Sequence, residues 1–283
     1  MKKYWSILLA IAVQVHAWAG TTIDAVNHLA YGANVGWLDW RGDTANGAVI
    51  GENVCSGNLY AANVGWISLG NGSPTNGIQY QNYSAADFGV NHDGVGNLRG
   101  FAWGANIGWI SFENSGAPRV DLFAGKLSGA AWSANCGWIS LSNAVAVVQT
   151  DHINSGSLAP NGLPVAWLLA NFGTTNVDAA ADPDHDGLSN AQEYLAGTNP
   201  NDAASALRIT GFSTGVPLAN SVSVNWNSVP GRFYVLQKTT SLSSGAWTDW
   251  VNNPVAGLNN VLFTDASTTN GFFRIRAYRP LMP

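Results

Sequence analysis

The residues best suited to metal chemistry lie in one short segment, 182–193. It reads Asp-Pro-Asp-His-Asp-Gly-Leu-Ser-Asn-Ala-Gln-Glu, with carboxylates at loop positions one, three, five and twelve and glycine at position six. A cation of calcium's size takes six to eight oxygen ligands, and this spacing aims alternate side chains inward around a turn at the glycine. Without a metal, the same carboxylates would face each other unpaired. The predicted calcium ligands are Asp182, Asp184, Asp186, the carbonyl of Leu188, Asn190 and Glu193.

No grouping of catalytic residues appears elsewhere in the sequence. The carboxylates between residues 39 and 121 stand singly, and no pair has a spacing suited to acid–base catalysis. The Ser-His-Asp order, the nucleophile elbow, the phosphate-binding loop and the His-Glu-x-x-His pattern are all missing from the sequence. We therefore predict that the protein is not an enzyme.

A string of the form Ala-Asn-x-Gly-Trp occurs four times ahead of the acidic segment, at 33–37, 62–66, 105–109 and 134–138. An aromatic residue precedes each asparagine by three positions, and a short alternating run follows each tryptophan. Asn-x-Gly suits a three-residue hairpin loop, because asparagine and glycine both tolerate left-handed backbone. Each repeat is predicted to form one β-hairpin, and stacking of the hairpins is expected to bury the tryptophans in a core.

Residues 1–19 have the pattern of a secretory signal peptide, with lysines, an apolar run and the small-residue string Ala17-Trp18-Ala19. No other stretch approaches the roughly 20 apolar residues of a membrane-spanning helix. The formal net charge of −5 argues against nucleic acid and anionic membranes as partners. The mature chain is expected to be secreted, without a transmembrane segment, and associated with an outer surface through an unidentified cell-surface or outer-membrane component.

The chain has two cysteines, Cys55 and Cys136. An exported protein meets oxidising conditions, in which cysteines form disulfides. We predict a disulfide between these two residues. By loop-closure entropy, a bridge across so long a loop would contribute about 4 kcal/mol to stability.

Composition and pattern divide the chain into four parts. The signal peptide, 1–19, is followed by a Trp-rich hairpin repeat domain, 20–150, a linker with helices and the calcium loop, 151–205, and a small C-terminal β-sandwich, 206–283. The predicted fold class is therefore mainly all-β.

Two local features of the later parts are specific enough to predict. A short helix is expected at 163–172, because Pro164 suits a first helical turn and Gly173 a helix end. In the sandwich, the tryptophans are predicted to lie in the core rather than to form a sugar-binding platform. These residues are Trp226, Trp247 and Trp250.

The segment 162–205 resembles the calcium-loop spacers of secreted bacterial multidomain proteins, of the thrombospondin type 3 and dockerin kind. The string Glu-Tyr-Leu-Ala-Gly-Thr at 193–198, directly after the acidic positions, carries this resemblance. It implies an EF-hand-like loop that acts as a metal-stiffened linker. The sandwich segment resembles the fibronectin type III-like modules that end many secreted bacterial proteins.

The repeat domain resembles the surface-associated copper-binding proteins of methane-oxidising bacteria, the MopE/CorA type. The resemblance rests on the repeat strings together with Phe-Gly-Val-Asn-His-Asp-Gly at 88–94. It implies a surface protein that scavenges copper through two histidines and an oxidised tryptophan. In that family the oxidised tryptophan stands two residues before a histidine, whereas here Ser68 follows Trp66 at that spacing. The copper candidates are His28, His92, His152 and Trp66.

Two classes of function follow from these patterns. The first is a secreted, surface-associated, non-enzymatic metal-binding protein that takes calcium and, through the resemblance, copper. The alternative is an extracellular adhesion or glycan-binding protein stiffened by calcium, in which exposed aromatic rings stack on sugars. Solvent exposure of the following residues in one row would favour the alternative: Trp40, Trp103 or Trp132.

Overall fold

The computed structural model describes residues 20–214, 221–243, 246–253, 260–264 and 271–281. The predicted signal peptide, 1–19, lies outside the described residues. The structure is mainly β, which confirms the predicted fold class. Neither of the two helices in the described residues, of eight and seven residues, has the length and apolar character needed to cross a membrane.

The part of the described chain that precedes the helices consists of short strands. These are β1 Ile23–Gly32, β2 Gly36–Asp39, β3 Val49–Ile50, β4 Cys55–Ser56, β5 Asn58–Ala61, β6 Gly65–Ser68, β7 Val90–His92, β8 Leu98–Gly104, β9 Gly108–Ser111, β10 Arg119–Val120, β11 Leu127–Ser128, β12 Ala130–Ser133, β13 Gly137–Ser140 and β14 Val148–Thr150, with a 3₁₀ turn at Asn114–Gly116.

Two helices and six further strands follow in the described residues. These are α1 Val165–Phe172, α2 Asn190–Ala196, β15 Ile209–Thr214, β16 Ser221–Trp226, β17 Phe233–Thr239, β18 Thr248–Asn253, β19 Asn260–Thr264 and β20 Phe272–Tyr278.

Each of the four sequence repeats forms one antiparallel hairpin, as predicted. The hairpins are β1–β2, β5–β6, β8–β9 and β12–β13, and in each the residue three positions before the asparagine pairs with the repeat tryptophan. In the first hairpin Gly32 pairs with Gly36 across a three-residue loop. Gly36 has a φ of 79°, a left-handed conformation that a side chain would strain.

The four hairpins join edge to edge into a sheet that closes on itself. The strand order is β1, β2, β5, β6, β8, β9, β12, β13, and β13 pairs back with β1 through Tyr31 and Ser140. We call these eight strands the closed sheet. Closure pairs the backbone groups at both edges of every hairpin with a neighbouring strand. A single hairpin would be only marginally stable in water.

The prediction that the repeat tryptophans form the core is wrong. The four side chains are 43% to 50% exposed on the outer face, and the residues that follow them fill the interior with exposures of 0% to 3%. Successive side chains in a strand point to opposite faces, and the interior of an eight-stranded closed sheet holds only compact side chains in layers. The tryptophans are Trp37, Trp66, Trp109 and Trp138, and the inward residues are Leu38, Ile67, Ile110 and Ile139.

Larger rings fill the interior where the closed sheet widens. Trp40 is 1% exposed and meets Phe112 edge-on, with ring centroids 6.4 Å apart. The cavity left among these side chains measures only about 10 Å³. The closed sheet is therefore a packed core with no room for a ligand inside.

The asparagines of the repeats form a hydrogen-bonded ring at one end of the closed sheet. Each side-chain amide donates to the backbone carbonyl of the residue between asparagine and glycine in the neighbouring turn, at 3.0 to 3.1 Å. The donor–acceptor pairs are Asn34 to Cys136, Asn63 to Val35, Asn106 to Val64 and Asn135 to Ile107. The repeat asparagine therefore ties successive hairpins together as well as shaping its own turn.

Replacing one ring asparagine should weaken the closed sheet measurably. Asn63→Ala removes the donor to Val35 and should lower the free energy of unfolding by about 0.5–1.5 kcal/mol. Asn63→Asp should cost at least as much, because aspartate has no donor for the carbonyl. Denaturant unfolding followed by tryptophan fluorescence measures the change. The exposed Ala62→Ser in the same turn is the control and should stay within about 0.5 kcal/mol of the wild type.

The predicted disulfide is not formed, since Cys55 and Cys136 are both buried free thiols. Cys136 takes the small apolar position of the fourth turn, equivalent to Val35 of the first, and packs at the end of the closed sheet. Cys55 lies in the separate ribbon β3–β4, where it pairs with Ile50. Burial raises the pKa of the Cys55 thiol to about 12, so that this side chain stays neutral and unreactive. Both cysteines act as core residues.

The linker contains the predicted helix and a second helix after the acidic loop. α1 follows Pro164 and ends at Gly173, whose φ of 67° closes the helix, as predicted. α2 begins with a capping box in which Ser189 and Gln192 each accept a backbone N–H at the helix start.

The C-terminal part is a small sandwich of two three-stranded antiparallel sheets, β15–β16–β19 and β18–β17–β20. Trp226 is 3% exposed and packs with Tyr234, which confirms its core position. Trp247 is half-buried, with the Arg274 guanidinium 4.3 Å from its ring centre. The side chain of Trp250 lies outside the described part of the structure.

Candidate metal centre

The acidic loop alternates inward and outward side chains as its spacing predicts. Asp182, Asp184 and Asp186 are partly buried, whereas Pro183 and His185 between them are exposed. His185 has a φ of 61° and Gly187 a φ of 96°, so the chain turns sharply at loop positions four and six. Backbone shape and side-chain direction therefore both fit a loop that wraps around a cation.

The three aspartates meet in space. One carboxylate oxygen from each lies within 4.8 Å of the others. Within the described residues, this is the only group of three or more His, Cys, Asp or Glu side chains so arranged. Part of the loop's hydrogen bonding holds them there, because the Gly187 N–H donates to Asp182 Oδ2 at 2.9 Å and the Leu188 N–H donates to Asp186 Oδ1 at 2.7 Å.

The remaining oxygens of the loop are buried and unused. In the described residues no hydrogen-bond donor reaches Asp184 Oδ2, Asp186 Oδ2 or Asn190 Oδ1, and the Glu193 oxygens have only a weak interaction with the Thr198 side chain. Buried acceptors in folded proteins are normally satisfied, because an unsatisfied one costs about 1–3 kcal/mol and more when charged. These oxygens belong to one loop and the helix that follows it, and oxygen atoms are the ligands that calcium prefers.

The electrostatics of Glu193 fit the same interpretation. Burial raises the pKa of Glu193 to about 7, and repulsion from Asp184, Asp186 and Asp182 adds to the effect. The side chain is fully buried on α2, with no exposed surface. Negative charge is therefore concentrated at the loop, and a divalent ion would relieve the repulsion between the carboxylates.

α2 and the segment before the loop position the last two side-chain ligands. Asn190 donates its Nδ2 hydrogen to the Asp178 carbonyl at 2.8 Å, and its Oδ1 stays buried without a hydrogen-bond donor. Glu193 follows one turn later on the same helix, outside the 4.8 Å aspartate group. Leu188 lies between the aspartates and the helix, as its predicted role as a carbonyl ligand requires.

The helix that carries Glu193 also forms a joint with the rest of the molecule. The Tyr194 hydroxyl donates to Glu52 Oε2 of the repeat domain at 3.0 Å, and Arg279 of the sandwich lies 2.6 Å from the same oxygen. Arg232 donates to the Tyr194 carbonyl at 3.0 Å and to the Leu195 carbonyl at 3.1 Å, at the C-terminus of α2. We call Glu52, Tyr194, Arg232 and Arg279 the joint.

Burial and charge pairing are opposed at the joint. Burial raises the pKa of Glu52, while the charges of Arg279 and Arg232 act against that rise. The Arg279 guanidinium stacks 4.6 Å from the centre of the Tyr194 ring and is 3% exposed. Sequence analysis missed Glu52, Arg232 and Arg279, because they stand singly and far apart in the chain and no local pattern marks them.

The copper candidates do not form a comparable centre. His28 Nδ1 pairs with Asp39 at 2.7 Å, and none of the three histidines belongs to the metal-sized group found in the described residues. His92 is buried with both ring nitrogens engaged, one by the Gly51 carbonyl at 2.9 Å and the other by the Gly96 N–H at 3.1 Å. Copper binding stays a prediction from resemblance, without support from the geometry of these side chains.

Burial of His92 should make the repeat domain sensitive to acid. Burial lowers the pKa of His92, against smaller opposite effects of the Gly51 carbonyl, Asp93 and Glu52. A lowered pKa means that stability is present above the unfolded value of about 6.5 and is lost as pH falls. Between about pH 7.5 and about pH 5, the wild type should lose more free energy of unfolding than His92→Gln, as measured by urea denaturation. Equal losses would refute this role of His92.

Comparison of the chain with protein-family models, with curated proteins and with solved structures finds no match. Fold and site alone therefore describe the chain, as a mainly β protein in which a closed sheet and a small sandwich are joined by a linker whose acidic loop brings three aspartates together.

Proposed function

We propose that this chain is an exported, non-enzymatic calcium-binding protein in which the metal fixes the joint between the closed sheet and the C-terminal sandwich. The observation that carries the proposal is the set of unused buried oxygens around the aspartate group of the acidic loop. Bound calcium would satisfy these oxygens and compensate the repulsion that raises the pKa of Glu193.

The position of the loop supports a mechanical role for the ion. Glu193 is a predicted ligand, and its neighbour Tyr194 contacts Glu52 of the repeat domain and Arg279 of the sandwich. A ligand that holds Glu193 therefore also holds the helix that carries the joint. When metal binds the folded loop, the free energy of binding stabilises α2 and the joint that α2 carries.

Magnesium is a poorer match for the loop. It demands near-ideal octahedral geometry and gives up its water reluctantly, whereas calcium accepts a flexible shell of six to eight oxygens. Three aspartates, an asparagine, a glutamate and a backbone carbonyl supply such a shell. The proposal is therefore specific for calcium over magnesium.

Isothermal titration of metal-free protein tests the proposal. We expect one calcium ion to bind per chain, with magnesium binding much more weakly. Asp184→Asn should lower calcium affinity at least about tenfold, because it removes a buried ligand charge. Absence of a calcium binding signal in the wild type, or an unchanged affinity in Asp184→Asn, would refute the proposal. Asp202→Asn, outside the loop, is the matched control, since asparagine can still accept from the Ala204 N–H.

A further inference from the structure

The closed sheet presents eight aromatic side chains to solvent, two from each hairpin. Their exposures range from 37% to 50%, although the interior of the same sheet is filled by other residues. We call them the aromatic belt: Tyr31, Trp37, Tyr60, Trp66, Trp103, Trp109, Trp132 and Trp138. Trp103 and Trp132 thus meet the exposure expected of a glycan-binding protein, whereas Trp40 is buried.

The belt consists of four cross-strand pairs in the same backbone register, and in three of them the two rings are in contact. In each hairpin the leading aromatic pairs directly with the repeat tryptophan. For Tyr31–Trp37, Tyr60–Trp66 and Trp103–Trp109, the ring centroids lie 4.6 to 5.2 Å apart with planes inclined by 58° to 65°. Edge-to-face contact holds one ring upright against the other and leaves ring surface open to a ligand.

A polar side chain stands beside every pair. On the adjacent hairpin, the residue opposite the leading aromatic always carries a side-chain oxygen. These residues are Ser140 beside Tyr31, Asp39 beside Tyr60, Ser68 beside Trp103 and Ser111 beside Trp132. Each site thus combines apolar ring surface with a neighbouring hydrogen-bonding oxygen. A sugar ring has the matching form, with an apolar C–H face and hydroxyl groups at its edge.

Other classes of partner fit the belt less well. The net charge of −5 disfavours anionic polymers. A stable protein interface needs about 800 Å² on each partner, whereas a completely buried aromatic residue contributes only about 150–250 Å². A polar position separates each half-exposed belt pair from the next, so the belt is not one continuous apolar surface, although Trp109 also contacts Phe88 and Phe101.

Trp132 and Trp138 line one cleft together, whereas the larger cleft at Trp109, of about 430 Å³, is lined by no second belt residue. Ser111, Glu113 and Ser115 complete a cleft of about 230 Å³ around the two rings. Glu113 is oriented there by the Gly100 N–H, which donates to Oε1 at 2.9 Å. The Ser111 hydroxyl oxygen accepts from the Glu113 N–H at 3.2 Å and keeps its own hydrogen for donation. This volume is below the roughly 300–1,000 Å³ of drug-sized pockets and suits a small ring.

We propose that this cleft binds a sugar unit of a neutral polysaccharide, with the other three belt pairs as related sites on the same closed sheet. The rings of Trp132 and Trp138 would contact the C–H face of the sugar, and the oxygens of Ser111 and Glu113 would bind its hydroxyl groups. If the spacing of sugar units along the polymer lets two or more of the four sites bind at once, the overall affinity would exceed that of one site. This activity is separate from the calcium loop.

Affinity electrophoresis of the calcium-loaded protein tests the proposal. The gels would contain hydroxyethyl cellulose, laminarin, galactomannan or dextran as neutral polysaccharides. We expect retardation in at least one gel, and Trp132→Ala/Trp138→Ala should weaken the affinity at least about tenfold. Glu113→Gln keeps the acceptor for Gly100 and should weaken binding less. Val145→Ala, at an exposed apolar residue outside the belt, is the matched control and should bind like the wild type.

Three results would overturn the proposal. The first is migration of the wild type unaffected by all four polysaccharides. The second is equal retardation of the wild type and the double variant, with circular dichroism showing that both are folded. The third is a wild-type dimer in sedimentation equilibrium that the double substitution dissociates, because the cleft would then bind a second copy of the chain. If the double variant fails to fold, quenching of wild-type tryptophan fluorescence by the retarding polysaccharide, lost in Glu113→Ala, decides the matter.

Discussion

Glu193→Gln is expected to abolish the stabilisation that calcium gives to this protein. At a free calcium concentration about 100-fold above its dissociation constant, a single site should add about 2.7 kcal/mol to the wild type and raise its melting temperature by roughly 5–10 °C. The variant loses the charged ligand that closes the shell, so its melting temperature should be the same with calcium and with chelator.

The metal-free proteins should differ in the opposite direction. Burial raises the pKa of Glu193 to about 7, so the ionised side chain destabilises the metal-free fold above that pH. The neutral glutamine removes this cost, and metal-free Glu193→Gln should therefore melt higher than metal-free wild type at about pH 8. Differential scanning calorimetry with calcium and with EGTA measures both effects. A variant that keeps the full calcium response would show that Glu193 is not a ligand.

Arg279→Met is expected to destabilise the joint by about 3–5 kcal/mol. It removes the guanidinium that lies 2.6 Å from Glu52 Oε2 and leaves this largely buried carboxylate with Arg232, 4.0 Å from its Oε1, as its ion-pair partner. It also removes the cation that stacks on the Tyr194 ring. The loss should appear as a lower midpoint in denaturant unfolding and as faster proteolysis between the closed sheet and the sandwich.

Two further variants separate charge burial from general damage at the joint. Glu52→Gln combined with Arg279→Met should cost less than the sum of the single changes, because the two side chains form a direct ion pair. Arg276→Ala, at an exposed residue of β20, the strand that ends just before Arg279, should change stability by less than about 0.5 kcal/mol. Additive costs in the double variant, or an effect of Arg276→Ala as large as that of Arg279→Met, would contradict the ion-pair explanation.

Local patterns predicted the elements of this fold well. The four hairpins, the helix between Pro164 and Gly173 and the turn at Gly187 each depend on residues close in sequence. The acidic loop was predictable for the same reason, because its aspartates are two residues apart and the local turn alone brings them together.

Properties that depend on closure of the sheet could not be predicted. In the strand after the second turn, Trp66 and Ile67 point to opposite faces, so only one of them can be a core residue. From sequence alone, the larger apolar surface of the tryptophan ring favoured Trp66. Only the narrow interior of a closed eight-stranded sheet reverses that choice. The predicted Cys55–Cys136 disulfide failed for a related reason, since Cys136 fills the apolar position of its turn at the end of the sheet.

The joint was equally beyond sequence reasoning. Glu52, Arg232 and Arg279 come from widely separated segments, and each reads as an isolated surface charge. Their convergence on Tyr194 follows from how the sandwich packs on the closed sheet, for example through Phe233 in the core cluster of the repeat domain. A pattern within one segment carries no information on such packing.

Hydrogen exchange of backbone amides, with calcium and after chelation with EGTA, tests most directly whether the loop metal fixes the joint. We predict that calcium slows exchange in the acidic loop, in α2 and around Arg232 and Arg279, and that exchange in the hairpins of the closed sheet stays unchanged. Slower exchange confined to the loop, with α2 and the two arginine segments unaffected by bound calcium, would contradict the proposed role of the ion.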